Sequence, residues 1–263
     1  MIRVSAGACT DVGVVRSLNE DSFYVGTHLW AVADGMGGHA AGEIASDIVV
    51  TKLRALDRDH LEQSAIVEVL MQANDAVVEY GRQHREAAGL GSTVTGMARV
   101  DIGGAEHWAG FNVGDSRVYR AYDGVLARAT MDHSEVEELI LHGIITPDQA
   151  RNHSSRSVVT RSVGTVPAPQ VDLWVLPQTP GERFLICSDG LTNELVDEDI
   201  ARILAEHEDP EAAAVALVDH ARLAGGRDNI SVVVLLVAND QASADIDEVT
   251  NPRSSLSVPG GDA

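Results

Sequence analysis

Apolar positions recur along this chain in two rhythms, and each predicts a kind of element. Short runs rich in β-branched and aromatic residues predict strands at Arg3–Cys9, Ser22–Val25 and Leu29–Ala33. A helix is expected over Ala41–Leu56. A second is expected over Leu61–Ala87, where Ile66, Val69, Leu70, Ala73 and Val77 form one stripe at helical spacing. The middle of the chain returns to strands at Thr93–Val100, Ala105–Val113, Arg117–Ala121 and Val125–Ala129, broken by Gly103-Gly104 and Asp123-Gly124 turns. Two helix starts follow. Ser134 with Glu137 fits a capping box, as does Thr146 with Gln149, where Pro147 takes the first helical position. Together they predict a helical insert over 134–160. Strands resume at Gln170–Val175 and Arg183–Cys187, and helices begin at Asp197 and at Asp209-Pro210. The last strand, Ile230–Val237, is apolar throughout and reads as an interior strand. Beyond it the composition turns to Asp, Ser, Pro and Gly, so residues 1–238 are expected to form the folded unit and 239–263 a polar, disordered tail. Strand runs divided by paired helices suggest layers rather than a strict βαβ alternation.

Composition narrows the function. Forty acids against 19 bases give a formal charge of −21, which disfavours a nucleic-acid binder and docking on anionic lipid. Cys9 and Cys187 are the only cysteines and stand far from any CxxC spacing, so a zinc ribbon or disulfide scaffold is not expected and a reducing cytoplasm is. The opening MIRVSAGACTDVG lacks the basic-then-apolar layout of a signal peptide, and no apolar run approaches the roughly 20 residues of a membrane span.

The informative pattern is an acid where an apolar strand stops. Leu29–Ala33 runs into Asp34-Gly35, Phe111–Gly114 into Asp115, and Phe184–Cys187 into Ser188-Asp189-Gly190, while Asp228-Asn229 stands just before the final strand. A strand end gives a carboxylate a rigid base, and an adjoining glycine lets backbone or ligand approach closely. Any one Asp-Gly is more often only a turn. Four converging acids could not all stay ionised without cations, because like charges raise one another's pKa. All-oxygen ligation selects hard ions such as Mg²⁺ or Mn²⁺, and two of them about 3.5–4 Å apart can assist an in-line displacement at phosphorus. No GxSxG, HExxH, GxxxxGK[ST] or helix-opening GxGxxG motif is present, and glycine-rich 35–42 lacks the lysine of a phosphate loop.

Seven motifs occur in order: Arg16-Ser-Leu-Asn-Glu-Asp21, Ala33-Asp-Gly-Met-Gly-Gly38, Gly91-Ser-Thr93, Asn112-Val-Gly-Asp-Ser-Arg117, Asp132-His-Ser134, Ser188-Asp-Gly190 and Gly226-Arg-Asp-Asn229. Together they resemble the bacterial branch of the metal-dependent protein phosphatases, the type 2C serine/threonine phosphatases, over about residues 5–237. The resemblance implies an α+β fold, a central antiparallel β-sandwich flanked by helices on both outer faces in four layers, with the insert as a flap beside the cleft. It implies Asp34, the Gly35 carbonyl, Asp189 and Asp228 as ligands of two core Mn²⁺ or Mg²⁺ ions, and Asp115 for a weaker third. Arg16 would hold the substrate phosphate. Glu20 and Asp21 would orient waters on the metals, and Asn229 would support the ligands from behind. Eukaryotic members carry a general-acid histidine where Met36 stands here, so His39, His133 or a water is left to protonate the leaving alkoxide. The implied activity is hydrolysis of phosphoserine and phosphothreonine on cytoplasmic proteins, serine/threonine kinases or their targets among them. A degenerate phosphopeptide-binding relative would have lost one of Asp34, Asp189 or Asp228, and a hydrolase of small phosphate esters is the third reading.

Overall fold

Two antiparallel sheets face one another, and each carries helices on its outer side; the computed structural model describes residues 2–37 and 41–239. One sheet runs in the order β1 (Ile2–Asp11), β11 (Ile230–Asn239), β10 (Arg183–Cys187), β7 (Arg117–Tyr122), β8 (Val125–Arg128). The other runs β2 (Asp21–Val25), β3 (Leu29–Met36), β5 (Val94–Ile102), β6 (Ala105–Val113), β9 (Asp172–Pro177), with the short β4 (Gly91–Ser92) beside the end of β3. Helices α1 (Ala41–Leu56) and α2 (Gln63–Gln83) cover the second sheet; α5 (Asp189–Thr192), α6 (Asp197–Glu206) and α7 (Pro210–Ala224) cover the first. Most of the polar tail expected over 239–263 lies outside the described residues.

The period-two alternation of strands explains the layers. On β11, Val232 and Val234 face the helices while Val233, Leu235 and Val237 face the opposite sheet, which is why that strand is apolar throughout. On β10, Leu185 and Cys187 point outward to the helices and Phe184 and Ile186 inward. Between the sheets, Trp108 meets Trp30 and Phe184 edge-on, with ring centroids 5.9 and 5.3 Å apart.

Three expectations move. The helix predicted over Leu61–Ala87 is shorter, because the Leu61 carbonyl is taken by the Asp101 N–H beside the sheet and His84 turns extended, its ring stacked on Tyr80. Strand β3 runs three residues past Ala33, so Asp34 lies inside it. In the insert, α3 (Glu135–Leu141) receives only half of its predicted capping box: Ser134 Oγ accepts from the Glu137 N–H, but the Glu137 carboxylate binds Arg128 instead of turning back. Helix α4 (Pro147–Ala150) has both halves, from Thr146 and Gln149.

One buried acid ties the sheets together away from the strand-end acids. Glu182, fully buried, accepts from Trp108 Nε1 on β6 at 2.7 Å and from Arg120 Nε on β7 at 2.8 Å. Glu182→Ala strands the indole N–H and the guanidinium. It is expected to lower unfolding stability by roughly 3 kcal/mol, read by urea denaturation; a loss within a few tenths would show that the bridge contributes nothing.

Candidate metal centre

The acids gather because the antiparallel register brings the right strand ends to one rim. Asp21 opens β2 and pairs directly with Asp34 on β3. On the facing sheet, Cys187 and Ile230 close the same end of β10 and β11, which places Asp189 and Asp228 just beyond it. Asp115 sits between β6 and β7. Serines and threonines lock these ends together. Ser188 Oγ donates to Asp21 Oδ2 at 2.8 Å and accepts from Ser231 N–H at 2.9 Å, joining one sheet to the other. Thr93 Oγ1 accepts from the Asp34 N–H at 3.0 Å and shares a 2.8 Å hydrogen bond with Ser116, so β3 and the Asp115 loop hold each other. Gly114 in that loop has φ +115°, and a Cβ there would lie 2.6 Å from the Thr93 side chain. Gly35 packs against the start of α1, where a Cβ would meet the Gly42 carbonyl oxygen at 2.0 Å.

Burial and mutual repulsion then set the electrostatics. Asp34 and Asp115 are pushed well above the ordinary carboxylate range, first by desolvation, then by the neighbouring acids. Asp189 is raised by desolvation and then by Asp228, its strongest like-charged neighbour, while its Oδ2 accepts from Asn193 Nδ2 at 2.9 Å. Asp21 is pushed up to about 7 by desolvation, against the pull of its serine partners. Two carboxylate oxygens, Asp21 Oδ1 and Asp189 Oδ1, are buried with no donor among the described residues. No three acids among the described residues are drawn around one point as a closed ion shell. Orphaned hard oxygens in an all-carboxylate rim fit Mg²⁺ or Mn²⁺ and not a softer metal.

The other expected residues divide. Arg16 stands on the rim, its side chain 49% exposed, with Nη2 2.9 Å from Asp228 Oδ2. Asn229 braces the loop that carries it: Oδ1 accepts from the Glu20 N–H, Nδ2 donates to the carbonyls of Val12 and Leu18, and the Asn229 N–H donates to Asp228 Oδ1. Glu20 uses its carboxylate to accept from the Gly42 N–H at the start of α1 and its carbonyl to accept from the Gly35 N–H. It therefore joins β3 to the helix. His133 is buried with both ring nitrogens engaged: Nδ1 accepts from the Gly114 N–H at 3.0 Å, and Nε2 lies 3.1 Å from Asp172 Oδ2. Desolvation lowers its pKa, consistent with the neutral ring that the accepting Nδ1 requires. His39 lies outside the described residues.

A family model described as Protein phosphatase 2C matches residues 16–220. The chain belongs to that family. It is 34% identical over 261 residues to the serine/threonine protein phosphatase PstP of Mycobacterium tuberculosis, a match covering 94% of this chain and 50% of that protein, so the chain spans about half the length of that relative. A crystal structure of the M. tuberculosis serine/threonine phosphatase PstP superposes with a TM-score of 0.83 at 34% identity, covering 91% of this chain and all of the other. A structure of the PstP catalytic domain in complex with two manganese ions superposes at 0.81 with 33% identity over the same shares.

One pair in this phosphatase 2C family member leaves no mark in the sequence. Arg117 grips Asp132 through Nε and Nη2, at distances of 2.6–3.0 Å, and reaches Tyr119 Oη, which in turn donates to Asp197. Both partners stand inside motifs quoted above, but nothing in their spacing shows that they meet. The pair lies beside Asp115, whose carboxylate feels both charges.

The raised acids predict how stability responds to pH. A carboxylate whose folded pKa exceeds its unfolded value of 3.8 stabilises the fold at low pH and loses that contribution as pH rises, for Asp21 through about 7. The melting temperature of EDTA-treated protein is therefore expected to be lower at about pH 8 than at about pH 5, and Mn²⁺ to raise it more at the higher pH. A cation at a hundred times its dissociation constant adds about 2.7 kcal/mol. A metal-free protein that gains stability over this range would contradict the assignment.

Proposed function

We propose that the chain is a Mn²⁺- or Mg²⁺-dependent phosphatase acting on phosphoserine and phosphothreonine in proteins. The observation that carries the proposal is the convergence of Asp34, Asp115, Asp189 and Asp228 at one rim, where Asp189 Oδ1 and the neighbouring Asp21 Oδ1 are buried with no donor among the described residues. Asp34, the Gly35 carbonyl, Asp189 and Asp228 would hold two core ions, with Asp115 serving a weaker third. Bound there, the cations supply Lewis acidity toward water and phosphate and offset the clustered negative charge. The manganese complex of the PstP domain supports this reading.

The chain's own residues do the rest. Arg16 binds the substrate phosphate with its planar fork, and its exposed place on the rim suits a group that must reach outward. Asn229 keeps the Arg16 loop and Asp228 in one piece, so phosphate grip and ligand geometry are set together. Asp21 stands behind the ligands, anchored by Ser188. Glu20 braces the start of α1 with one carboxylate oxygen, and its other oxygen would orient waters on the metals. His133 is also a brace: with both nitrogens bound it has no proton free for the leaving alkoxide. That step falls to a solvent water beside Asp115, or to His39. Substrates in a cytoplasm shared with serine/threonine kinases, the kinases included, complete the proposal; no described helix is long and apolar enough to cross a membrane.

The test uses p-nitrophenyl phosphate and a phosphothreonine peptide. Purified protein is expected to cleave both with added Mn²⁺ and neither after EDTA. Asp34→Asn removes one of several repelling charges, so it should leave the fold intact. Turnover should fall by more than the roughly 10–100-fold that removing an outer partner of a metal ligand produces. Full turnover by the variant would refute the ligand set, and cleavage of ATP in preference to the peptide would favour the small-ester reading.

A further inference from the structure

The acid rim opens into a cavity of about 490 Å³ that extends from Asp115 and Asp189 to the flap. Five arginines line it, and three are spoken for: Arg117 by Asp132, Arg128 by Glu137, and Arg227 by Glu194. The other two, Arg151 and Arg156, are exposed and have no side-chain hydrogen bond or ion-pair partner among the described residues. That is notable in a chain with 40 acids to 19 bases, where a surface arginine has carboxylates in abundance to pair with.

The segment that carries these two arginines is held in place. The Arg156 N–H donates to the His153 carbonyl and the His153 N–H to that of Ala150, which fastens the segment to the end of α4. Beyond it, the Glu135 N–H bonds to the Val158 carbonyl and the Thr160 N–H to that of His133, the same histidine that supports the Asp115 loop. Two permanent cations thus line the same cavity as Asp115 and Asp189. The cavity's other carboxylates, Asp132 and Glu137, are already paired with Arg117 and Arg128, and its Asp197 accepts from Tyr119. A polypeptide whose phosphoresidue lies at the acid rim can bring its neighbouring residues along this wall. A carboxylate or phosphate next to the scissile group meets a guanidinium fork there, while an otherwise acidic protein surface repels it elsewhere.

We propose that Arg151 and Arg156 form a second anion subsite, which favours phosphoproteins bearing a further anionic group beside the residue being dephosphorylated. The inference rests on the phosphatase reading above and names its substrate class more closely.

Three phosphothreonine peptides of one length test it, flanked by alanine, by aspartate, or by a non-hydrolysable phosphonate analogue of phosphoserine. The anionic peptides are expected to exceed the alanine peptide in kcat/KM by roughly five- to tenfold, the size of one or two partly exposed charge-assisted contacts. The advantage should shrink with added salt. In Arg151→Ala/Arg156→Ala it should vanish through KM, with kcat and p-nitrophenyl phosphate turnover retained; Arg151→Lys/Arg156→Lys should restore part of it. A preference for aspartate alone would identify acidic side chains as the ligand, and one for phosphonate alone a second phosphate. Equal rates on all three peptides, or an anionic preference that survives the alanine substitutions, would overturn the subsite. Wild-type protein that cleaves neither peptide nor p-nitrophenyl phosphate would instead refute the phosphatase reading.

Discussion

Repulsion among buried carboxylates is the constraint around which this molecule is arranged. Asp21, Asp34, Asp115 and Asp189 are all held above their ordinary pKa by desolvation and by one another. A protein left to relax would swing such side chains into water. Here it cannot, because each acid is rooted at or next to a strand end, and the strand ends are cross-linked by Ser188, Thr93 and Ser116. The sandwich supplies the rigidity: its interior aromatics and alternating valines fix both sheets, and the antiparallel register brings the acids to one rim. Stability given up at the rim is what the proposed cations would restore.

Around that rim the supporting residues share a logic. Asn229 and His133 have their side-chain polar atoms bonded within the protein, Glu20 has one carboxylate oxygen so bonded, and each joins a loop at the rim to something rigid. Arg16 differs, being half exposed and, among the described residues, bonded only to Asp228. A group meant to meet a substrate has to remain partly solvated, whereas a group meant to position others does not. The same contrast separates Arg117, locked on Asp132, from the unpartnered Arg151 and Arg156 farther along the cavity.

Much of this is legible in the chain because strand-end acids leave a local mark: an apolar run, then Asp and Gly. Asp34 and Asp189 are found that way, Asp115 follows an apolar run and Gly114, Asp228 stands just before one, and the bounds of α1, β6 and β10 follow from periodicity alone. The sandwich itself is not readable from the strands, because alternation says which residues share a face and not which sheet they face. The ends of α2 are misplaced because tertiary bonds to Leu61 and the turn at His84 override a continuing helical stripe. The roles of Glu20, Asn229 and the Arg117–Asp132 pair depend on partners as much as 217 residues away, and spacing along the chain carries no trace of them.

The central claim is that the acid rim exists to bind hard divalent cations. Anomalous X-ray scattering from crystals grown with Mn²⁺ tests it most directly. The account expects two manganese peaks bounded by the oxygens of Asp34, Asp189 and Asp228; well-ordered crystals with no manganese among those carboxylates would contradict it.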